Sequence, residues 1–247
     1  QVAEGFEPVA QVFVDNFADR NETGASACVY VDGERVVNIW GGAANHKTNE
    51  PWREESAIVV FSTTKGATAI CIARLVQEGK LDYDQTVATY WPEFAAARKQ
   101  DVTVGQLMSH QAGLISTDPP LSLDEILQVT PVVEALAAQA PLWEPGTDHG
   151  YHALTYGWLA GELVRRVDGR TIGQYFAEEV AGPLGLDFWI GLPEDQEWRV
   201  ARLRGAPRPS GEALDLMRKI ASPGTNGGRA LTMDGAFAPI DGVDPFN

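Results

Sequence analysis

The chain has 247 residues, 44% of them hydrophobic, and its formal net charge is −15 at pH 7. A chain of this length can bury a substantial core, either as one large domain or as two small ones. The acidic balance disfavours nucleic acid and anionic membrane surfaces as partners, because both repel negative charge.

The cysteine content and the length of the apolar stretches indicate in which cellular compartment to expect the protein. The two cysteines, Cys28 and Cys71, offer neither a disulfide framework nor metal-ligand spacing, and no other cluster indicates a metal site. No stretch reaches the apolar length that spans a bilayer, and the first residues lack the basic and apolar regions of a signal peptide. We therefore expect a cytoplasmic protein with buried free thiols and without a membrane partner.

The first part of the chain predicts a helix followed by a hairpin. Apolar residues recur at helical spacing over residues 6–17. Residues 25–31 and 35–40 have the pattern of strands, and the Asp32-Gly33 pair between them is a strong hairpin signal. Two strands alone form a marginal sheet that needs more strands or a covering layer, yet no convincing strand follows.

A serine and a lysine stand at the start of the next predicted helix. Ser62 follows an apolar run at residues 57–61, and the helix is apolar almost all round until Gly79, which predicts burial inside a domain. Ser62 and Lys65 are three residues apart, one helical turn, so their side chains share a face. There the lysine can take or share the hydroxyl proton, or stabilise the alkoxide. The alternative is a serine that caps the helix beside a solvated lysine.

The remaining pattern is mainly helical and weakens toward the end. Helices are predicted within residues 103–110, 123–140, 154–167 and 171–180. Residues 224–228 have the glycine content of a phosphate loop without its lysine or preceding strand, so we expect a flexible loop. We predict three regions: 1–56 with the N-terminal helix and first strands, 57–190 as a helical domain, and 191–247 as an irregular segment rich in proline and glycine.

Three ordered motifs resemble one group of enzymes. They are Ser62–Lys65, Leu107–Leu114 and Trp143–Tyr151. S-x-x-K opens the active-site helix of serine β-lactamases and penicillin-binding proteins, and the three motifs together are similar to the β-lactamase-related serine hydrolases. That group includes class C β-lactamases, D-peptidases and family VIII carboxylesterases. The turn Gly182–Leu186 is also similar, and the resemblance runs from about residue 6 to at least residue 189.

The resemblance implies an α+β fold, with a helical domain on an antiparallel sheet, and acyl transfer through a covalent acyl-enzyme on Ser62. It implies no cofactor and no metal. The family's second catalytic element is a tyrosine six residues after the proline of a Pro-Gly-Thr turn, and Pro145 thereby assigns that role to Tyr151. A phenol normally titrates near about pH 10, and a nearby lysine favours the phenolate. Whether Lys65 or Tyr151 takes the Ser62 proton stays open.

The chain departs from the family pattern in two places. Class C β-lactamases have Tyr-Ala-Asn where this chain has Tyr151, His152 and Ala153, so the asparagine amide that binds a lactam side chain is absent. This favours a carboxylic ester of a small or medium acyl group as substrate. The family's third motif, on a strand near the C-terminus that also supplies the second oxyanion donor, is missing too. We therefore expect a C-terminal segment or a second chain to complete the sheet.

Several aromatic side chains near the motifs are candidates for substrate contact. They are Trp143, His149, His152 and Trp189. Ordinary core, surface or loop positions are the competing interpretation for each. A Ser-His-Asp triad with Asp148 or Asp118 is disfavoured because the chain has no Gly-x-Ser-x-Gly elbow. His110 is expected to fix a helix end through hydrogen bonds.

The predicted function is hydrolysis of a small-molecule ester. Alternatives of the same class are β-lactam or amide hydrolysis and transfer of the acyl group to an alcohol or amine. An alternative of another class is a non-catalytic binding protein that retains the fold.

Overall fold

A computed structural model describes residues 1–205, 209–222 and 224–237 of the chain. These residues divide into two compact units. The first contains residues 1–60 and 192–205, and the second contains residues 61–191 and 209–237.

The first unit contains the N-terminal helix and the sheet. Its elements are α1 (Glu7–Asp19), β1 (Gly24–Val31), β2 (Glu34–Asn45) and β3 (Glu50–Pro51). β1 pairs antiparallel with β2, and β2 pairs antiparallel with β3. The predicted helix and hairpin are confirmed, and Asp32 and Gly33 have the positive φ angles, 51° and 83°, that a tight hairpin turn requires. β3 was not predicted, because two residues are too short to show an alternating pattern.

The second unit is built from helices in its described part. They are α2 (Thr63–Gln77), α3 (Val87–Tyr90), α4 (Val104–Met108), α5 (Leu123–Leu127), α6 (Thr130–Ala138), α7 (Thr155–Asp168), α8 (Ile172–Phe176), α9 (Gly182–Leu184), α10 (Glu212–Ala221) and α11 (Asn226–Thr232). Capping boxes at Thr103, Ser122 and Thr171 satisfy the first N–H groups of the short helices α4, α5 and α8. None of the helices described in either unit is long and apolar enough to cross a bilayer.

Helix α2 buries only one of its faces. The buried residues are Ala67, Thr68, Cys71, Ile72 and Leu75, and the apolar ones pack in one cluster with Leu159 and Leu163 of α7. On the other face Gly66, Ile70 and Ala73 are exposed, Ile70 by 54%. The expectation that this helix is buried all round is therefore wrong for the described residues. The exposed residues recur at i, i+4 and i+7, which places them on one stripe.

The two cysteines differ in their surroundings. Both are free thiols, as expected. Cys71 lies in the α2 core, and burial raises the pKa of its thiol to about 11. Cys28 is exposed on β1, contrary to expectation, because the alternation of the strand turns its side chain outward.

The expectation of a flexible loop at residues 224–228 is also wrong. Thr225 caps α11, since its Oγ1 accepts a hydrogen bond from the Gly228 N–H at 3.0 Å. A Cβ on Gly227 would lie 1.8 Å from the carbonyl oxygen of Ile220, and one on Gly228 would lie 2.2 Å from that of Ser222. The two glycines therefore allow α11 to start in contact with the end of α10.

Candidate active site

Ser62 stands at the start of α2, directly after a strained residue. Phe61 has a φ of 44°, in the left-handed region that an aromatic residue rarely adopts. Ser62 occupies the N-cap position, but its hydroxyl makes no capping hydrogen bond. It accepts a hydrogen bond from Lys65 Nζ at 3.1 Å instead. The interpretation of Ser62 as a simple helix cap does not describe this arrangement.

The Lys65 ammonium has two oxygen partners. Besides Ser62, it donates to the carbonyl oxygen of Ala153 at 2.6 Å. Its Nζ also lies 4.9 Å from the centroid of the Tyr151 ring and 5.9 Å from that of Tyr156. A protonated lysine has three N–H donors and no acceptor, so the charged form can donate to both oxygens and retain an N–H group for a further acceptor.

Tyr151 lies close to Ser62 and Lys65 and remains 45% exposed. Partial burial raises the pKa of its phenol. Hydrogen bonds with Ser62 and Lys65, together with the Lys65 charge, lower that pKa more. The pKa of Tyr151 therefore lies below the ordinary value of a phenol. This shift favours the phenolate, which can accept a proton from Ser62.

His152 is fully buried behind Tyr151. Its Nδ1 is 2.6 Å from the carbonyl oxygen of Gly150, and its Nε2 accepts a hydrogen bond from the Leu114 N–H at 3.0 Å. The ring must therefore carry its proton on Nδ1 and be neutral. Burial lowers the pKa of His152 to about 4, which agrees with this assignment.

His110 lies on the other side of Tyr151. The ring centroids of the two residues are 4.9 Å apart, and His110 is also 5.1 Å from Tyr156. The Nδ1 of His110 accepts a hydrogen bond from the backbone N–H of His152 at 3.1 Å. The prediction that His110 fixes a helix end is not what this contact shows, because the ring binds the backbone of His152, which is 42 residues away and precedes α7.

A cleft of about 400 Å³ opens beside Tyr151, within the size range of small-molecule sites. Its lining includes Asp148, Asn226 and a larger set of apolar and aromatic side chains: Ile115, Trp143, His149, Tyr151, Ile220, Ala230 and Leu231. The Trp143 wall depends on a glycine, because a Cβ on Gly150 would lie 2.5 Å from the Trp143 ring. The cleft therefore has mainly apolar walls and contains no lysine or arginine among its described lining residues.

The structure brings together some of the predicted site residues and separates others. Trp143 and His149 line the cleft, whereas His152 is buried behind it. Trp189 is half-buried and is not among the described lining residues. Contact of Trp189 with a substrate stays a prediction.

Sequence reasoning did not identify Ala153 as a partner of Lys65, nor Ile115, Ile220 and Leu231 as cleft residues. The Ala153 contact is made by a backbone carbonyl, which leaves no side-chain signal. The apolar residues of α10 at helical spacing were the one available signal for Ile220.

Comparison with known proteins decides the family. The chain matches the family described as Beta-lactamase over residues 9–236. The chain belongs to the beta-lactamase family. The α+β fold expected from the resemblance is thereby confirmed, with the sheet in the first unit and the helices around Ser62 in the second.

Relatives within the beta-lactamase family include both esterases and penicillin-binding-protein homologues. The chain is 38% identical over 245 residues to "Esterase/beta-lactamase LipL" of Mycobacterium tuberculosis, covering 98% of this chain and 57% of that protein. A crystal structure of a family VIII carboxylesterase is 45% identical, with a TM-score of 0.77, and the match covers 81% of this chain and 56% of that one. A penicillin-binding protein homologue from Caulobacter crescentus is 42% identical, with a TM-score of 0.85 and coverage of 97% and 62%. The chain thus spans a little under two thirds of the length of these relatives.

Among the described residues, no group of three or more His, Cys, Asp or Glu side chains could hold a metal ion.

Proposed function

We propose that this member of the beta-lactamase family is a serine hydrolase that cleaves uncharged carboxylic esters through a covalent Ser62 acyl-enzyme. The observation that carries the proposal is the contact of Lys65 Nζ with Ser62 Oγ at 3.1 Å, with the Tyr151 ring centroid 4.9 Å from the same Nζ. An alcohol becomes a useful nucleophile when a positioned base takes its proton. This group of three supplies the nucleophile, a proton acceptor and a fixed positive charge.

Tyr151 is the proposed base, and Lys65 the proposed cation. Lys65 donates to the oxygens of Ser62 and Ala153, so its ammonium form fits its surroundings, and an ammonium has no lone pair with which to accept a proton. The same ammonium lowers the pKa of Tyr151. In the proposed reaction the Tyr151 phenolate takes the proton as Ser62 Oγ attacks the ester carbonyl carbon.

The proton then returns to the leaving group. Collapse of the tetrahedral intermediate breaks the bond between the acyl carbon and the alcohol oxygen, and the alcohol leaves with the proton from Tyr151. Water attacks the acyl-enzyme in the second half of the reaction and gives its proton to Tyr151. The acid is released as Ser62 recovers its proton, so the enzyme returns to its initial state.

The negative oxygen of the intermediate needs backbone donors. The N–H of Ser62 is one candidate, because the first N–H groups of a helix have no acceptor within it. We propose that the second donor, and the strands that complete the sheet, come from a further segment of the polypeptide or from a second chain. The coverage of 57% of LipL supports this part of the proposal.

The cleft supports esters with an apolar acyl group. Trp143, Ile220 and Leu231 offer apolar surface, and the lining includes the carboxylate side chain of Asp148 rather than a cation. An anionic substrate would therefore find no lysine or arginine among these residues. Ala153 in place of the class C asparagine also removes a side-chain amide that a lactam would use.

A second candidate is β-lactam hydrolysis, favoured by the printed name of the LipL relative, "Esterase/beta-lactamase". It uses the same acyl-enzyme, so the two candidates differ only in the leaving group and the acyl substituent. The rates of p-nitrophenyl butyrate and nitrocefin turnover compare them directly. We expect the ester to be the better substrate.

A fluorophosphonate followed by intact mass tests the nucleophile. The expected result is one adduct, mapped to Ser62, and turnover of p-nitrophenyl butyrate, both lost in the Ser62→Ala variant. An adduct without turnover would mean that the second oxyanion donor is absent from the protein under test. A folded protein that turns over ester with Ser62→Ala would overturn the proposal, and absence of both adduct and turnover would favour a non-catalytic binding protein.

The cytoplasmic location is likewise a proposal. Fractionation of the source cells, with antibody detection of the protein in the cytosolic and envelope fractions, is the test.

A further inference from the structure

Tyr151 has an exposed side chain held by a tightly bonded backbone. The N–H of Gly150 donates to the carbonyl oxygen of His110 at 3.1 Å. The carbonyl oxygen of Gly150 faces Nδ1 of His152 at 2.6 Å, and the N–H of His152 donates to Nδ1 of His110 at 3.1 Å. Three backbone groups that flank Tyr151 are therefore bound by two histidines.

The two histidines are themselves fixed from outside. His152 Nε2 accepts from the Leu114 N–H, and Thr155 Oγ1 donates to the carbonyl oxygen of Leu114 at 2.7 Å. His110 has a φ of 65°, a left-handed conformation that aims its ring toward Tyr151. The Tyr151 segment is thus tied to the loop after α4 and to the first residue of α7.

We propose that His110 and His152 form a neutral clamp that positions the Tyr151 phenol against Ser62 and Lys65. The proposal rests on the proposed function, because it assigns both histidines to the placement of that proton acceptor. Neither histidine is a catalytic residue here, since each acts through backbone groups of Gly150 and His152, the two neighbours of Tyr151. The motifs that this chain shares with the family do not by themselves assign the positioning of Tyr151 to His110 and His152.

The clamp requires both rings to be neutral. Protonation of His110 would place a donor at Nδ1, opposite the N–H of His152, and protonation of His152 would do the same opposite the Leu114 N–H. The charged and titratable groups facing these rings are Lys65, His149, Tyr151 and Tyr156. Burial is the largest cause of the lowered pKa of His110, followed by the charges of His149 and Lys65. The surroundings therefore keep the clamp neutral.

Two substitutions of His110 distinguish a role in positioning Tyr151 from a role in folding. His110→Asn retains a short side-chain acceptor near the place of Nδ1, and asparagine tolerates the left-handed backbone. His110→Leu has similar bulk but no acceptor, so the N–H of His152 loses its partner. Both variants are first checked for folding by near-ultraviolet circular dichroism and thermal unfolding.

The first readout is the phenol itself and needs no enzyme activity. Ultraviolet difference titration of each protein against the same protein carrying Tyr151→Phe gives the pKa of Tyr151. We expect a pKa below the ordinary phenol value in the unsubstituted protein and in His110→Asn, and a rise toward the ordinary value in His110→Leu. An unchanged Tyr151 pKa in folded His110→Leu would overturn the clamp.

The second readout is the split between kcat and KM for p-nitrophenyl butyrate. We expect His110→Leu to lower kcat by roughly 10- to 100-fold, the scale of a misplaced catalytic group, with little change in KM. His110→Asn should recover most of the loss. Equal kcat in the two variants, or a change in thermal stability alone, would contradict the clamp. If Tyr151 titrates as expected and Ser62 still forms no adduct, the proposed function fails while the clamp stands.

Discussion

The ammonium of Lys65 donates a 2.6 Å hydrogen bond to the backbone carbonyl oxygen of Ala153. This contact joins the first turn of α2 to the segment that carries Tyr151, 88 residues later in the chain. A carbonyl can only accept, so it holds Lys65 as a donor, and Nζ also donates to Ser62 Oγ and lies 4.9 Å from the centroid of the Tyr151 ring. The contact therefore favours the division of roles in which Lys65 is the cation and Tyr151 the base.

Removal of the Lys65 ammonium should lower kcat/KM and shift its pH dependence. Lys65→Met removes a hydrogen bond and a charge that lower the pKa of Tyr151, so that pKa should rise. The base form exists above the pKa, so the acid limb of kcat/KM should move to higher pH. We expect activity at neutral pH to fall by roughly 10²- to 10⁴-fold. A pH–rate profile with p-nitrophenyl butyrate measures both effects, and an unmoved acid limb would contradict Tyr151 as the base.

Tyr151→Phe should separate catalysis from stability. The phenol is 45% exposed, so its loss should leave the thermal midpoint nearly unchanged. Loss of the proton acceptor should lower kcat by roughly 10²- to 10⁴-fold, while burst labelling by a fluorophosphonate slows in parallel. Tyr156→Phe is the matched control, because Tyr156 is buried and its ring, like that of Tyr151, lies near Lys65 Nζ. Equal kcat losses in both variants would contradict a specific role for Tyr151.

The buried His152 should make stability depend on pH. Its pKa is lowered from 6.5 to about 4, so the folded state resists a proton that the unfolded state accepts. The neutral ring therefore stabilises the folded state fully above about pH 6.5, and this stabilisation is lost as the pH falls toward about 4. The free energy of unfolding should fall by up to about 3 kcal/mol over this range. Urea unfolding at several pH values measures it. The His152→Gln variant, which does not titrate, should show a shallower decline over this window, and identical slopes would contradict the prediction.

The cleft assignment predicts selectivity for acyl length. Ile220→Ala removes apolar surface from the cleft wall, so kcat/KM for p-nitrophenyl octanoate should fall by roughly threefold to tenfold, or about 1 kcal/mol. The value for p-nitrophenyl acetate should change little, because its acyl group is too short to reach the wall. Leu216→Ala is the matched control on α10, being exposed and outside the described lining. A similar loss in both variants, or for both esters, would contradict a specific acyl contact at Ile220.

Local patterns in the sequence predicted part of this architecture. The spacing of Ser62 and Lys65 and the hairpin signal at Asp32-Gly33 depend on neighbours in sequence, so they could be identified directly. The Tyr151 assignment needed the family resemblance, since an isolated loop tyrosine carries no signal. Long-range backbone contacts could not be predicted from the sequence. Nearly every residue has a backbone carbonyl and N–H, so nothing distinguishes the carbonyl of Ala153 or the N–H of Leu114. Gly227 and Gly228 were misread as flexible for the same reason: their close contacts with α10 depend on tertiary packing.

The most direct test of the account is to trap the acyl-enzyme. The protein is mixed with excess p-nitrophenyl butyrate, quenched in acid during turnover, digested and examined by peptide mass spectrometry. The account predicts a butyryl group on Ser62, absent when Ser62→Ala is treated in the same way. Turnover that continues without acylated Ser62, or an acyl group on another residue that supports turnover, would contradict it.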